Sequence, residues 1–344
     1  MAYLGTFILL NNGRFRDSMG ELLNQGRQLR QDDSMMLTYL MFIEFLIEGL
    51  IMLGETSWFL MGMIDNKGVN RYVLLLTCLD RPGIINEITG ALFDVNANIV
   101  HADQHSTDDE YGVFFIRIEF VLSGSSEGLD DLVDQLCASL SAEAKWYDLS
   151  QLLRCSILVS KEDHCLQELL YQWKSNSLNI TVGSIISNHD QYGSLAQWYG
   201  VPFHYVSSES KHVSEEQIIE KTQSTDILIM ARYMQILSSD FLSTYNRPVI
   251  NIHHSFLPSF TGAKPYHQAF SRGVKLIGAT AHYATEALDE GPIIIQKVSP
   301  VTHRDNINDL KQLGTHLEKQ CLLDAIRAVS EHRVIIHDNK TIVF

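Results

Sequence analysis

Two short segments of this 344-residue chain gather side chains that can hold charge and move protons. The first is Asn251-Ile252-His253-His254-Ser255 and the second is Leu288-Asp289-Glu290-Gly291-Pro292. Asn251 and His253 flank Ile252. In an extended segment they point the same way while Ile252 packs inward. A carboxamide donor beside an imidazole can stabilise charge developing on a carbonyl oxygen. Asp289 could orient that imidazole or take a proton from water. Pro258, Gly262 and Pro265 would shape the loop after the first segment. Together these residues suit acyl-type chemistry with no covalent nucleophile and no metal. Taken alone, an Asn-x-His pair serves structure more often than catalysis.

Such groups need a frame. The first segment ends an apolar run at 249–252, and the second precedes one at 293–298. A further apolar run lies at 226–230, strands are read at 155–160, 180–187 and 203–206, and helical stretches at 164–173, 194–199 and 215–222 lie between them. Continuous apolar strands alternating with helices predict a doubly wound, mostly parallel α/β sheet over 152–344. Its site is expected at the carboxyl ends of the strands. The chain holds no GxGxxG, GxxxxGK[ST] or GxSxG motif, so a dinucleotide site, a P-loop and a nucleophile elbow find no support.

Residues 70–150 read as a second unit. Strand 72–78, helix 84–95, strands 99–106 and 113–121, helix 129–140 and strand 144–149 give the order βαββαβ, a ferredoxin-like arrangement. Arg81-Pro82-Gly83 joins the first strand to the first helix. Backbone N–H groups around Gly83 could receive a carboxylate, or the turn serves strand-to-helix geometry alone. His101 and His105 share a strand face, with too few further ligands for a metal site.

Residues 1–68 differ from the rest. The stretch 35–64 is apolar and Met-rich, but Glu44, Glu48 and Glu55 interrupt it, so stable membrane insertion is not expected. Arg14, Arg16, Arg27 and Arg30 lie too far ahead of it for a signal peptide. The expectation is a hydrophobic extension outside the enzyme core, with Met61 or Met63 as the working start. A membrane or partner helix and a packed helix are the alternatives.

Composition narrows the classes. A hydrophobic share of 45% and a charged share of 19% suit a globular protein. A net charge of −15 without a basic patch argues against broad contact with nucleic acid. The five cysteines form no CxxC pair, so neither a disulfide framework nor a zinc knuckle is indicated. Reduced thiols in a cytoplasmic enzyme are expected.

NIHHSFLPSFTGAKPYHQAF over 251–270 and IGATAHYATEALDEGPII over 277–294 resemble the signature of the folate-dependent formyltransferase family. DRPGI over 80–84 resembles the turn of ACT domains, modules that often bind small amino acids at subunit interfaces. Together the likeness spans roughly 71–344. ADQHS over 102–106, KEDHCL over 161–166 and the doubled histidine resemble the deformylase branch of the family. The resemblance implies hydrolysis of 10-formyltetrahydrofolate to tetrahydrofolate and formate, with no separate cofactor. Such a reaction feeds formate to purine synthesis and balances one-carbon folate pools. It also implies a homo-oligomer, with an amino-acid effector at Arg81, Pro82 and Gly83.

The family's catalytic Asn, His and Asp fall on Asn251, His253 and Asp289. The loop 231–237 resembles its folate loop, which points to Arg232, Tyr233, Met234, Ile236 and Leu237, with Thr285 beside them. Ordinary core packing is the other reading of Met234, Ile236 and Leu237. His254 supports the water site or only packs. Related glycinamide ribonucleotide formyltransferases hold a substrate phosphate in a Gly/Ser-rich turn after the first catalytic strand. Here that turn is Ser160-Lys161-Glu162-Asp163-His164, with no glycine and two carboxylates. A phosphate would meet like charge, so water is the expected acceptor. A formyltransferase with an amine acceptor and a non-catalytic amino-acid sensor are the alternatives.

Overall fold

The computed structural model describes residues 69–108, 112–124, 126–259 and 265–344. The expectations for residues 1–68 and for Gly262 lie outside the described residues. The small unit runs β1 (Val69–Leu79), α1 (Ile84–Asp94), β2 (Asn98–Ser106), β3 (Val113–Ser123), α2 (Leu129–Leu140) and β4 (Glu143–Asp148). Its sheet has the order β2-β3-β1-β4 and the expected βαββαβ sequence of elements. Helical spacing explains the packing. Ile84, Ile88 and Leu92 of α1 and Leu129, Leu132, Leu136 and Leu140 of α2 form apolar stripes buried with β1 and β3.

The large unit begins with β5 (Leu153–Val159), α3 (His164–Lys174), β6 (Ile180–Ser187), α4 (Gly193–Tyr199) and β7 (Phe203–Tyr205). It continues through α5 (Lys211–Lys221), β8 (Ile227–Met230), α6 (Ser239–Tyr245), β9 (Val249–His253), α7 (Pro265–Arg272) and β10 (Leu276–Tyr283). It ends with β11 (Ile293–Pro300), α8 (Ile307–Ser330) and the hairpin β12 (Val334–His337) and β13 (Lys340–Val343). Its sheet has the order β11-β10-β9-β8-β5-β6-β7. Strands β5 to β9 are parallel, and β10 and β11 are antiparallel. Ile157, Leu158, Ile229 and Ile250 are fully buried, as strands covered on both faces require.

The chain travels outward from β5 through β6 to β7, then returns to lay β8 on the other side of β5. The switch point therefore lies between the carboxyl ends of β5 and β8, where open α/β sheets bind ligands. Helix α8 starts from a capping box of Asn306 and Asp309. It buries Leu310, Leu317, Cys321, Leu322 and Ile326 in the large unit's core. The sequence pattern gave no expectation of α6, α7, β10, α8 or the final hairpin. Among the described residues, no helix is long and apolar enough to cross a membrane.

The two sheet units meet at the end of α8. Arg117 of β3 donates to the carbonyls of Glu331 and His332 at 3.0 and 3.1 Å. Tyr147 of β4 stacks on His332 with ring centroids 3.8 Å apart.

Candidate active site

Antiparallel pairing of β9 with β10 sets Asn251 opposite His282. Asn251 Nδ2 lies 3.2 Å from His282 Nε2. His282 Nδ1 is 2.9 Å from the carbonyl of Tyr283, which can only accept, so this nitrogen carries the proton. His282 Nε2 then accepts from the Asn251 amide, leaving the second amide hydrogen for a ligand.

Asp289 sits in the turn before β11 with φ 58°, a left-handed conformation that Asp tolerates better than most residues. The turn presses on the end of β10. A Cβ at Gly291 would stand 1.9 Å from the Tyr283 carbonyl oxygen, so only glycine fits. This close approach aims Asp289 at both histidines. Its Oδ2 is 3.2 Å from His253 Nδ1 and its Oδ1 is 3.7 Å from His282 Nε2. Hydrogen bonding with His253 holds the carboxyl far below the usual carboxylate range, against the opposing effect of burial. The His253 and Asp289 side chains are 7% and 14% exposed. His253 Nε2 is buried and has no hydrogen-bond partner.

Asn251, His253, His254, His282, Thr285 and Asp289 line one cavity of about 260 Å³. The other wall is the loop after β8, with Arg232, Tyr233, Met234, Ile236 and Leu237. The structure thus brings every expected catalytic and folate-loop residue together. Met234 and Ile236 are 56% and 60% exposed, which sets aside core packing for them. They form an apolar rim open to a flat ring. Leu237 packs against the core cluster that buries Tyr233. Burial, then the charge of Glu215, pushes the Tyr233 hydroxyl up to about 12.

His254 lies beside His253, ring centroids 5.1 Å apart. Burial, then the Arg232 charge, brings its imidazole down to about 4, so it is neutral near pH 7. Ser160 pins the β8 loop. Its N–H donates to the Arg232 carbonyl at 3.1 Å, and its Oγ accepts from the Met234 N–H at 3.0 Å.

Arg232, with φ 65°, reaches Glu318 of α8 with its Nε, 3.3 Å away. His164 Nε2 and the Tyr266 hydroxyl also meet Glu318, at 2.8 and 2.5 Å. His164, Cys165 and Glu318 place ligand-type atoms within 4.8 Å of one another. The setting is poor for a cation. Arg232 and Tyr266 already occupy the carboxylate, and burial raises the Cys165 thiol well above its ordinary range.

His282 and Glu318 carried no sequence-based expectation. His282 had one local signal: with Thr280 it forms a polar alternation inside an apolar strand. Nothing local marked Glu318. At the small unit, Arg81 and Gly83 line a separate cavity of about 660 Å³ with Asn86, His105 and Ser106. Pro82 contributes a carbonyl that accepts from Arg81 at 3.2 Å and is not part of that lining.

Residues 153–326 match the formyl transferase family, and residues 72–140 match the ACT domain. A formyltetrahydrofolate deformylase from Bacillus subtilis is 44% identical over 285 residues, 79% of this chain and 93% of that protein. A formyltetrahydrofolate deformylase crystal structure from Pseudomonas syringae pv. tomato aligns with TM-score 0.77 and 39% identity, covering 84% of this chain and 99% of that one. Glycinamide ribonucleotide transformylase 1 from Symbiobacterium toebii aligns with TM-score 0.54 and 29% identity, covering 58% of this chain and 97% of that one. By matched length and by identity, the chain belongs to the formyltetrahydrofolate deformylase family.

Proposed function

We propose that the chain hydrolyses 10-formyltetrahydrofolate to tetrahydrofolate and formate, with Asn251, His253 and Asp289 as the catalytic residues. The observation that carries this reading is the buried, unpartnered Nε2 of His253, whose ring lines the same cavity as Asn251 and Asp289. An orphaned polar atom in such a place needs a partner from a ligand. The formyl oxygen supplies it.

The pterin ring lies on the rim of Met234 and Ile236, with Leu237, Tyr233, Arg232 and Thr285 around it and backbone groups at its edge. The formyl oxygen points to the free Asn251 amide hydrogen and to His253. A protonated His253, its Nδ1–H held by Asp289, donates from Nε2 to the oxyanion. Asp289 also positions the attacking water. A carboxylate stabilised this strongly takes a proton reluctantly from resting water, so transfer occurs as attack makes the water proton acidic. His254, neutral beside this water, accepts a hydrogen bond from it. The water oxygen bonds to the formyl carbon, the carbon–nitrogen bond breaks, and the proton passes to the folate nitrogen.

Water rather than a phosphate-bearing amine as acceptor is supported by the glycine-free turn at 160–164. A small amino acid bound beside Arg81, Pro82 and Gly83 is the proposed effector, in a cytoplasmic homo-oligomer. The deciding experiment gives the full chain 10-formyltetrahydrofolate and no acceptor. Formate and tetrahydrofolate should appear in equal amounts. Turnover only with an added amine would establish a formyltransferase, and no turnover with either would leave a sensor. A chain starting at Met63 should keep this activity if residues 1–62 lie outside the enzyme core.

A further inference from the structure

Asp289 meets His253 from a turn that lies largely in solvent. Residues 285–288 and Glu290 are exposed. The turn's own bonds are few. The Glu290 N–H donates to the Ala287 carbonyl at 3.3 Å, and Thr285 Oγ1 donates to the same carbonyl at 3.1 Å. Its far end is fixed where the Tyr283 N–H donates to the Pro292 carbonyl at 2.9 Å. A segment with so little internal support opens locally unless something outside holds it.

That support comes from the β12–β13 hairpin. Its strands pair only with each other, so no backbone ladder joins them to β11. Its two-residue turn is Asp338-Asn339, with Asp338 at φ 53°. Asn339 at this tip donates from Nδ2 to the Glu290 carbonyl at 3.1 Å. Thr341 donates from Oγ1 to the Ile293 carbonyl at 2.5 Å. The two bonds bracket Gly291 and Pro292, directly after Asp289.

The hairpin is itself anchored, as it must be, since an isolated two-stranded hairpin is marginal in water. Phe115 of β3 is fully buried and meets the His337 ring edge-on, centroids 5.1 Å apart. Val334 packs on the core of the large unit. Arg333 closes the base, its Nη1 donating to the Phe344 carbonyl at 2.9 Å. A hairpin gripped by both sheet units can hold a turn in place.

We propose that Asn339 and Thr341 are positioning residues for the reaction: through the Glu290 and Ile293 carbonyls they fix the turn that aims Asp289 at His253. This rests on the role given to Asp289 above and adds what keeps that carboxylate in place. Neither residue lines the catalytic cavity, so contacts with the substrate survive their loss. A loosened turn lengthens the 3.2 Å contact with His253 and misaligns the attacking water. A misplacement of about 1 Å can lower a rate by about 10²-fold.

The test compares the wild-type full chain with the double variant Asn339→Ala, Thr341→Val and with Thr341→Ser. Valine keeps the shape of threonine and loses the hydroxyl, whereas serine keeps the hydroxyl. With 10-formyltetrahydrofolate and no acceptor, the double variant should lose about tenfold in kcat, with KM within about twofold of wild type. Thr341→Ser should keep the wild-type kcat. Amide hydrogen exchange over 285–292 should quicken in the double variant while the melting temperature stays unchanged. Unchanged kcat, or unchanged exchange over 285–292, overturns the proposal. Faster exchange throughout the chain with a lower melting temperature also overturns it, because the two residues then serve stability alone. Absence of formate from wild type fails the hydrolytic reading instead, and exchange over 285–292 then decides the positioning claim by itself.

Discussion

Arg81 and Glu87 meet at 2.8 Å beside the small sheet, and His253 and Asp289 meet at 3.2 Å at the carboxyl edge of the large one. The shorter contact is the less consequential. Its side chains are 43% and 36% exposed, so water and salt compete for both charges. The longer contact is largely withdrawn from water, and removing one partner there strands the other. Distance alone therefore does not rank these pairs; solvent does. The same holds for Glu318, whose partners come from several elements and whose charge has no access to bulk water.

The largest effect should come from Asp289→Asn. The amide keeps the shape but cannot take a proton and no longer pairs with His253 as a charge. Turnover should fall by about 10²–10⁴, the usual worth of a positioned acid or base. Folate binding should survive, because the rim of Met234 and Ile236 is untouched. Steady-state rates and a titration with a non-hydrolysable folate would measure both. Near-native turnover would remove Asp289 from the mechanism and place the buried pair on the same footing as the exposed one.

Gly314→Ala should come next, read as stability. Alanine favours the helix by about 1 kcal/mol over glycine. Here its methyl displaces Tyr266 and takes a donor from the buried Glu318. A net loss of about 1–3 kcal/mol is expected from overpacking and the lost bond. Denaturant unfolding would show it. A gain in stability would mean that Tyr266 moves freely and that the Glu318 cluster is loosely held.

A smaller effect involves His332, where the two units meet. Burial, then the charge of Arg117, lowers its imidazole to about 4. The unfolded chain takes up this proton near pH 6.5, and the folded chain only near pH 4. Stability from this group is therefore complete above about pH 6.5 and is lost as pH falls toward 4. His332→Asn, which tolerates the left-handed φ of 50°, removes this loss. It should shrink the drop in stability between pH 7 and pH 5 by about 1–2 kcal/mol. An unchanged acid slope in melting experiments would show that His332 titrates alike in both states.

These cases show which parts of the molecule could be read from the sequence. Strands such as Ile227–Met230 were legible because burial on both faces leaves a continuous apolar run. Helices α1 and α2 were legible because one buried face leaves a 3.6-residue period. Asn251 and His253 were legible as a pair because strand alternation is local. His282 was not assigned a role, because its partnership with Asn251 depends on β10 running antiparallel to β9, which no local pattern records. Glu318 looked like one more charge on a long helix, and its burial follows from what α3, α7 and the β8 loop place around it. Met234 and Ile236 were ambiguous for the opposite reason. Apolar type suggests a core, and only the fold shows that they face outward.

The smallest effect tests the exposed side of the comparison. Glu87 lies in the first turn of α1, where a negative charge also suits the helix dipole. Glu87→Gln removes that interaction and the pair with Arg81. Both are solvent-screened, so the loss should be about 0.3–1 kcal/mol at low salt and should shrink further at high salt. Formate release should match wild type, because Glu87 does not line the catalytic cavity. Unfolding at two salt concentrations and an acceptor-free assay check both expectations. A loss well above 1 kcal/mol that salt does not reduce would mean the turn is shielded from solvent in the assembled protein. A fall in turnover without a fall in stability would instead mean that this surface turn communicates with His253 and Asp289. Screening by water would then no longer separate the two pairs, and coupling between the sheets would have to replace it as the explanation.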